Sequence, residues 1–298
     1  MRAPRAALFR FKWRSRSYTT ASNTSPRLRD LPILADNSIS VFRDHAYSPA
    51  QPALFPRGSF ADLPAVEKWF TPVPDSVPAK SALNLKYIYG KTFEDRYPKL
   101  LPIEIINEQG QFFQIHQKFG LFLDHVRDAP AKFQVWDEEL GQNKWVPADE
   151  NIKYKMYLAQ APLSDLPKAL QYHLPTPAHV LQAGKGDIYG TSVWLGEAPT
   201  YTPLHRDPNP NIFVQLAGTK RVRMFNPDVG HFIFASVQRA IGGTANATMR
   251  GAEMMEGAER TVLEEAVWGT SMEELIRAEG WECEVNAGDA LAGDVASS

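Results

Sequence analysis

His205 and Asp207 stand two residues apart in the stretch 202–220, TPLHRDPNPNIFVQLAGTK. On a strand, positions i and i+2 share a face, so an imidazole and a carboxylate would project together into one cavity. That pair supplies two of the three arms of a 2-His-1-carboxylate facial triad, the arrangement that holds non-heme Fe(II) and leaves coordination positions open. A lone His-x-Asp also occurs on ordinary solvated loops, so the pair gains weight only from its surroundings.

Those surroundings must position it. Pro203, Pro208 and Pro210 bracket the pair and place it at the mouth of a strand rather than within a central run. IFVQL then alternates, Gly218 turns, and KRVRMF alternates again. This predicts a hairpin whose second strand brings Lys220 back beside the pair.

Thr202, His205, Asp207, Asn211 and Lys220, with Trp194 to Gly196 just upstream, resemble the JmjC/cupin-like 2-oxoglutarate oxygenases, especially their protein-hydroxylase branch. The family pattern is W-[LIV]-G, then T-P-x-H-x-D, an Asn, and G-x-K. The resemblance covers most of residues 38–291 and is most specific in the core motif, 194–225. It implies a mainly β fold with helical decoration, a double-stranded β-helix (jelly-roll) barrel. It also implies Fe(II) held by His205 and Asp207, with 2-oxoglutarate as co-substrate. Lys220 and Thr202 would bind the distal carboxylate of that co-substrate, a charge-assisted pairing. Asn211 would orient a ligand near the metal, and Tyr157, in the strand-like KYKMYLAQAPL, would contact the co-substrate; the alternative for Tyr157 is a plain core tyrosine. Trp194 is expected in the core rather than along a substrate channel.

The pattern breaks near the end of the sequence. Family members continue from G-D-A-L into a Trp-bearing strand that delivers the second His. Here Gly288-Asp289-Ala290-Leu291 is followed by AGDVASS, and the 298 residues hold no His after His231. The expectation is therefore a C-terminally truncated member, with its last strand and third ligand missing, and with Asp294 a poor substitute. The functional expectation is a dioxygenase hydroxylating a protein side chain, or an RNA base. The alternatives are a catalytically impaired binding or regulatory protein and a small-molecule oxygenase of a biosynthetic pathway.

Composition fits such a domain. At 298 residues and 44% hydrophobic content the chain suffices for one large β-barrel or two small domains. A net charge of −2 gives no general attraction to nucleic acid or anionic membrane, and nothing points to DNA binding. Cys283 is the only cysteine, so no internal disulfide can form. No run of about 18 apolar residues suggests a membrane span.

Residues 1–29 stand apart from the cupin-like region, 30–298. Eight Arg and Lys residues precede the first acid, Asp30, among Phe, Trp, Ser and Thr. That is the signature of a mitochondrial transit peptide, which places the chain in the matrix; a basic tail on a cytoplasmic or nuclear protein is the alternative. Downstream, ADLPAVEKWF predicts a helix with Pro64 in its first turn, and PIEII, QFFQIH and KFQVW predict strands. LKYIYG also reads as a strand. LSDLPKALQYHL reads as a short helix capped by Ser164 or Asp165, with His173 and His179 exposed near a Pro-rich turn. His45, His116, His125 and His231 carry no functional mark. Where the chain reads VRMFNPDVGHFIFASV, the family resemblance implies a proline and a short acidic turn before a substrate-facing loop. Residues 239–280 form an insertion with two helices, ERTVLEEAVW and a second opened by a capping box at Thr270 and stopped by Gly280.

Overall fold

A computed structural model describes residues 28–74, 80–92, 99–107, 112–127, 132–137, 142–147, 154–242, 257–269, 279–293 and 296–297. The chain begins with β1 (Arg29–Asp30), α1 (Ile39–Phe42), a π-helical turn at Arg43–Tyr47, β2 (Ala53–Leu54) and α2 (Pro64–Lys68). Next come β3 (Phe70–Val73), β4 (Lys80–Leu83), α3 (Leu85–Thr92), β5 (Leu100–Asn107), β6 (Phe112–Lys118) and α4 (Phe119–Val126). These lead to β7 (Lys132–Asp137), β8 (Gln142–Pro147), β9 (Tyr154–Pro162), α5 (Lys168–Gln171), α6 (Ala178–Gln182) and β10 (Ser192–Gly196). The chain then runs through β11 (His205–Arg206), β12 (Asn211–Val214), β13 (Thr219–Phe225), α7 (Pro227–Ile241) and α8 (Gly257–Trp268). It finishes with β14 (Gly280–Asn286), β15 (Ala290–Gly293) and β16 (Ala296–Ser297).

Three sheets build an open jelly-roll: β1-β14-β13-β16-β11, β10-β9-β5-β6 and β12-β15-β2. The five-stranded and three-stranded sheets face each other across Leu31, Leu54, Val222, Met224, Trp281, Val285 and Leu291, with Phe213 packed against them. Alternation on β13 decides what enters this interior. Lys220, Val222 and Met224 share the inner face, while Arg221 and Arg223 turn outward and stack over Trp268 of α8. The four-stranded sheet buries Leu101, Ile103, Met156, Leu158, Val193 and Leu195 against α3, α4 and α5. Its other face carries Glu104, Tyr157 and Gly196, which lie side by side in register.

Several expectations are overturned. IFVQL and KRVRMF are not a two-stranded hairpin: β12 pairs with β15, and β13 with β14 and β16, so the two lie in opposite sheets. LKYIYG is helical, because Asn84 Oδ1 accepts from Tyr87 N at 3.2 Å and caps α3, which then packs Leu85, Ile88 and Tyr89 at helical spacing. The stretch after Phe225 is a 15-residue helix, not a turn and loop. Pro227 occupies its first turn, Ile233, Phe234 and Val237 face the core, and Gly242 closes it at φ 71°. Neither Ser164 nor Asp165 caps α5; Pro167 occupies that position, and residues 163–165 form a separate 3-10 turn.

Residues following Leu291 are not strandless. β15 continues through Gly293, and β16 pairs with both β11 and β13. Of the two insertion helices, α8 is present, with Leu263 and Val267 fully buried. The second lies outside the described residues, and Gly280 opens β14. The leader-like segment 1–27 also lies outside them.

Candidate metal and dicarboxylate site

His205 sits on β11, whose partner across the ladder is β16, with His205 opposite Ser297. Its Nδ1–H donates to the Pro203 carbonyl at 3.0 Å, which fixes the ring and leaves Nε2 with its lone pair. That Nε2 lies 3.7 Å from Asp207 Oδ1, and the two side chains are 34% and 43% exposed. The other carboxylate oxygen, Oδ2, accepts a short hydrogen bond from Asn211 Nδ2. Such a bond orients a ligating carboxylate and aims its remaining oxygen.

The pair suits a shared cation. Donors about 2.1 Å from one ion and at right angles to each other would stand about 3.0 Å apart, against the 3.7 Å seen here. They supply two arms only: among the described residues no third His, Cys, Asp or Glu joins them, and Asp294 lies outside those residues.

Lys220 reaches inward from β13 to lie 4.8 Å over the Phe213 ring. Phe213 is two residues beyond Asn211 on β12, so the cation and the Asp207–Asn211 pair meet along one strand. Burial lowers the Lys220 pKa from its ordinary value. Among the described residues it has no carboxylate partner, which leaves an ammonium in the barrel balanced only by an aromatic face. Thr202, half-buried, lies three residues before His205.

Tyr157 is half-buried on β9, opposite Glu104 on β5 and Gly196 on β10. Its burial, then the nearby Glu104, push the phenol up to about 12, so at neutral pH it is a protonated donor. Burial also raises the Glu104 carboxyl.

Other sequence expectations fare unevenly. Trp194 is 45% exposed rather than in the core, because Val193 and Leu195 take the buried face of β10. His173 and His179 are not exposed. His179 is buried edge-on to Phe42 and Phe55 and bonds the Asn37 carbonyl through Nε2 at 3.0 Å. His173 Nδ1 accepts from Trp69 Nε1 at 2.9 Å, and its Nε2 meets Tyr87 Oη at 3.2 Å. His231 lies on the exposed face of α7. Sequence reasoning missed Phe213, Glu104 and Gly196. Glu104 leaves a signal as a single acid within the apolar run LPIEII, Gly196 as the glycine of the W-[LIV]-G stretch, and Phe213 leaves none.

Comparison with known proteins bears on the fold and the family. A model of the cupin-like domain matches residues 39–292. The lysine-specific demethylase JMJ30 of Arabidopsis thaliana is 34% identical over 93 residues, 31% of this chain and 20% of that protein. The lysine-specific demethylase 8 of Danio rerio is 26% identical over 101 residues, 34% of this chain and 25% of that one. The Jumonji C domain-containing protein 5 of Drosophila melanogaster is 24% identical over 200 residues, 66% of this chain and 42% of that one. The chain thus spans less than half the length of these relatives. The domain match over most of its length, together with these similarities, shows the family: the chain belongs to the JmjC/cupin-like oxygenase family.

Proposed function

We propose that this chain is a dioxygenase that uses Fe(II) and 2-oxoglutarate to hydroxylate a protein side chain. The observation that carries the reading is Lys220: a cation inside the barrel, held against Phe213 and paired with no carboxylate among the described residues. Such a group suits the far carboxylate of a dicarboxylic acid, and Thr202 would add a hydroxyl donor. His205 Nε2 and Asp207 Oδ1 would hold the metal, Asn211 would fix Asp207, and Tyr157 would donate to the co-substrate. When bound, the metal would activate oxygen, so that substrate C–H becomes C–OH while 2-oxoglutarate is converted to succinate and carbon dioxide. Stable hydroxylation and N-demethylation share this step, since hydroxylating an N-methyl group starts its removal. The names of the Arabidopsis and zebrafish relatives support a protein substrate; an RNA base and a small molecule are the other substrates to test.

A second reading, a binding module without turnover, is favoured by one observation: the described residues supply two metal ligands rather than three. Anaerobic Fe(II) titration followed by a succinate assay separates the two. Iron binding with succinate formation supports the enzyme; iron-free protein that forms no succinate rejects it. Lys220→Met should abolish 2-oxoglutarate binding by calorimetry in Mn(II), while wild-type affinity should weaken as pH rises toward the lowered Lys220 pKa. Unchanged affinity in the variant would remove Lys220 from the site.

The acid-free segment 1–29 supports import into the mitochondrial matrix. Residues 1–35 fused to a fluorescent protein should enter mitochondria; a fusion that stays in the cytosol rejects the assignment.

A further inference from the structure

Tyr157 owes its place to a neighbour with no side chain. Gly196 and Tyr157 are cross-strand partners on β10 and β9. A Cβ on Gly196 would overlap Cδ2 of the Tyr157 ring and come 2.8 Å from Cε2. The ring therefore lies in the space that a side chain at 196 would fill. Gly196 is not at positive φ, so its backbone does not itself demand glycine.

The register that creates this pairing is not the simplest one. Val193 pairs with Ala161, yet Leu195 pairs with Leu158, so β9 carries one extra residue between them. Gln160 absorbs it at φ 50°, the left-handed conformation typical of a bulge residue. Without the bulge, counting on from Val193–Ala161 sets Glu197, not Gly196, opposite Tyr157. A side chain there would compete for the ring's space and add a second carboxylate beside it, Glu104 being already opposite on β5.

We infer that Gly196, set in register by the Gln160 bulge, is a positioning residue that lays the Tyr157 ring flat along β10 and so aims its hydroxyl at the co-substrate. The inference rests on the dicarboxylate reading of the site. Among the described residues the Tyr157 hydroxyl makes no hydrogen bond, which leaves it free to donate to a bound anion. Trp194, which precedes the glycine by two, keeps its own exposed position and takes no part in this contact.

The test is a double-mutant cycle, since coupling appears only if the two residues act through one another. Gly196→Ala should weaken 2-oxoglutarate binding to the Mn(II)-loaded protein about tenfold, the loss expected for one hydrogen bond to a charged group. In a Tyr157→Ala background the same substitution should change nothing, because no ring remains to be displaced. A second readout needs no ligand. In protein labelled with 3-fluorotyrosine, the 19F resonance that Tyr157→Phe removes should shift in Gly196→Ala while the others stay in place. If Gly196→Ala fails to fold alone but folds with Tyr157→Ala, that rescue identifies the same clash. An unmoved resonance, or a loss of affinity that persists without the ring, overturns the positioning role. Wild-type protein that binds no 2-oxoglutarate while the resonance still shifts would instead overturn the co-substrate reading and leave the steric pairing intact.

Discussion

Asn211 shows how a neutral side chain can decide the behaviour of a charged one. Its amide takes one oxygen of Asp207 and leaves the other facing His205 Nε2, so the carboxylate's orientation is set by the chain itself. Asn211→Ala should weaken Mn(II) affinity about 10–100-fold, the usual cost of losing such a partner, and His205→Ala should abolish binding. Calorimetry that finds Asn211→Ala equal to wild type would make the contact incidental. Asp289 does comparable work for the fold. Burial tends to raise its pKa, but Asn286 N–H, Gly58 N–H and the Arg57 guanidinium outweigh that and hold it below the usual carboxylate range. Its contribution is thus complete above the ordinary carboxylate pKa and fades as pH falls through the lowered one. Asp289→Asn should cost about 1–3 kcal/mol in urea unfolding at neutral pH, and a smaller change would mean that water replaces the lost acceptor. At this scale the sequence was partly legible. His205, Asp207 and Lys220 announce themselves by type and spacing. Phe213 and Gly196 do not announce their roles, because what they contribute depends on the residue lying across from them.

Elements were legible where pattern and packing agree. β5, β6 and β9 form where the sequence reads as strand, and α8 buries Leu263 and Val267, which its spacing selects. Reading failed where one residue outweighed the pattern. Asn84 converts a strand-like run into α3, and Pro227 with Asp228 starts α7 ahead of aromatic residues that favour extended chain. The β9 bulge was invisible, since no glycine or proline marks Gln160. Helix packing also yields a titration. His173 joins α2 to α3 by accepting from Trp69 and meeting Tyr87, and partial burial, then Lys68 and Lys91, lower its pKa. A protonated ring would turn a proton toward the Trp69 N–H, which can only donate. The unfolded chain therefore takes up the proton first, and stability should fall as pH drops below about 6.5, His173's ordinary value. Melting temperatures between pH 7 and 5 should show this slope, and His173→Gln should flatten it. An equal slope in the variant would assign the acid sensitivity elsewhere.

For the whole molecule, fold class and the stretch holding the site could be read from the sequence, but the way the strands divide between sheets could not. β12 and β13 look like neighbours because they are close in sequence, yet each pairs with strands from the far end of the chain. Only long-range register puts Lys220 over Phe213 and β16 beside β11.

The Asp289 contacts have a consequence for how the chain is made. They join residues 57 and 58 to a turn more than 230 positions later, and β2 closes on β15 across a similar span. A ribosome releases Phe42, Phe55 and Phe60 long before Ala290 and Ala292, the alanines packed in the same cluster, exist. Those rings must wait in water or in the grip of a chaperone until residues 290–292 have been made. Contacts of such high sequence separation fold slowly, so the growing chain is most prone to aggregation until the turn that carries Asp289 emerges.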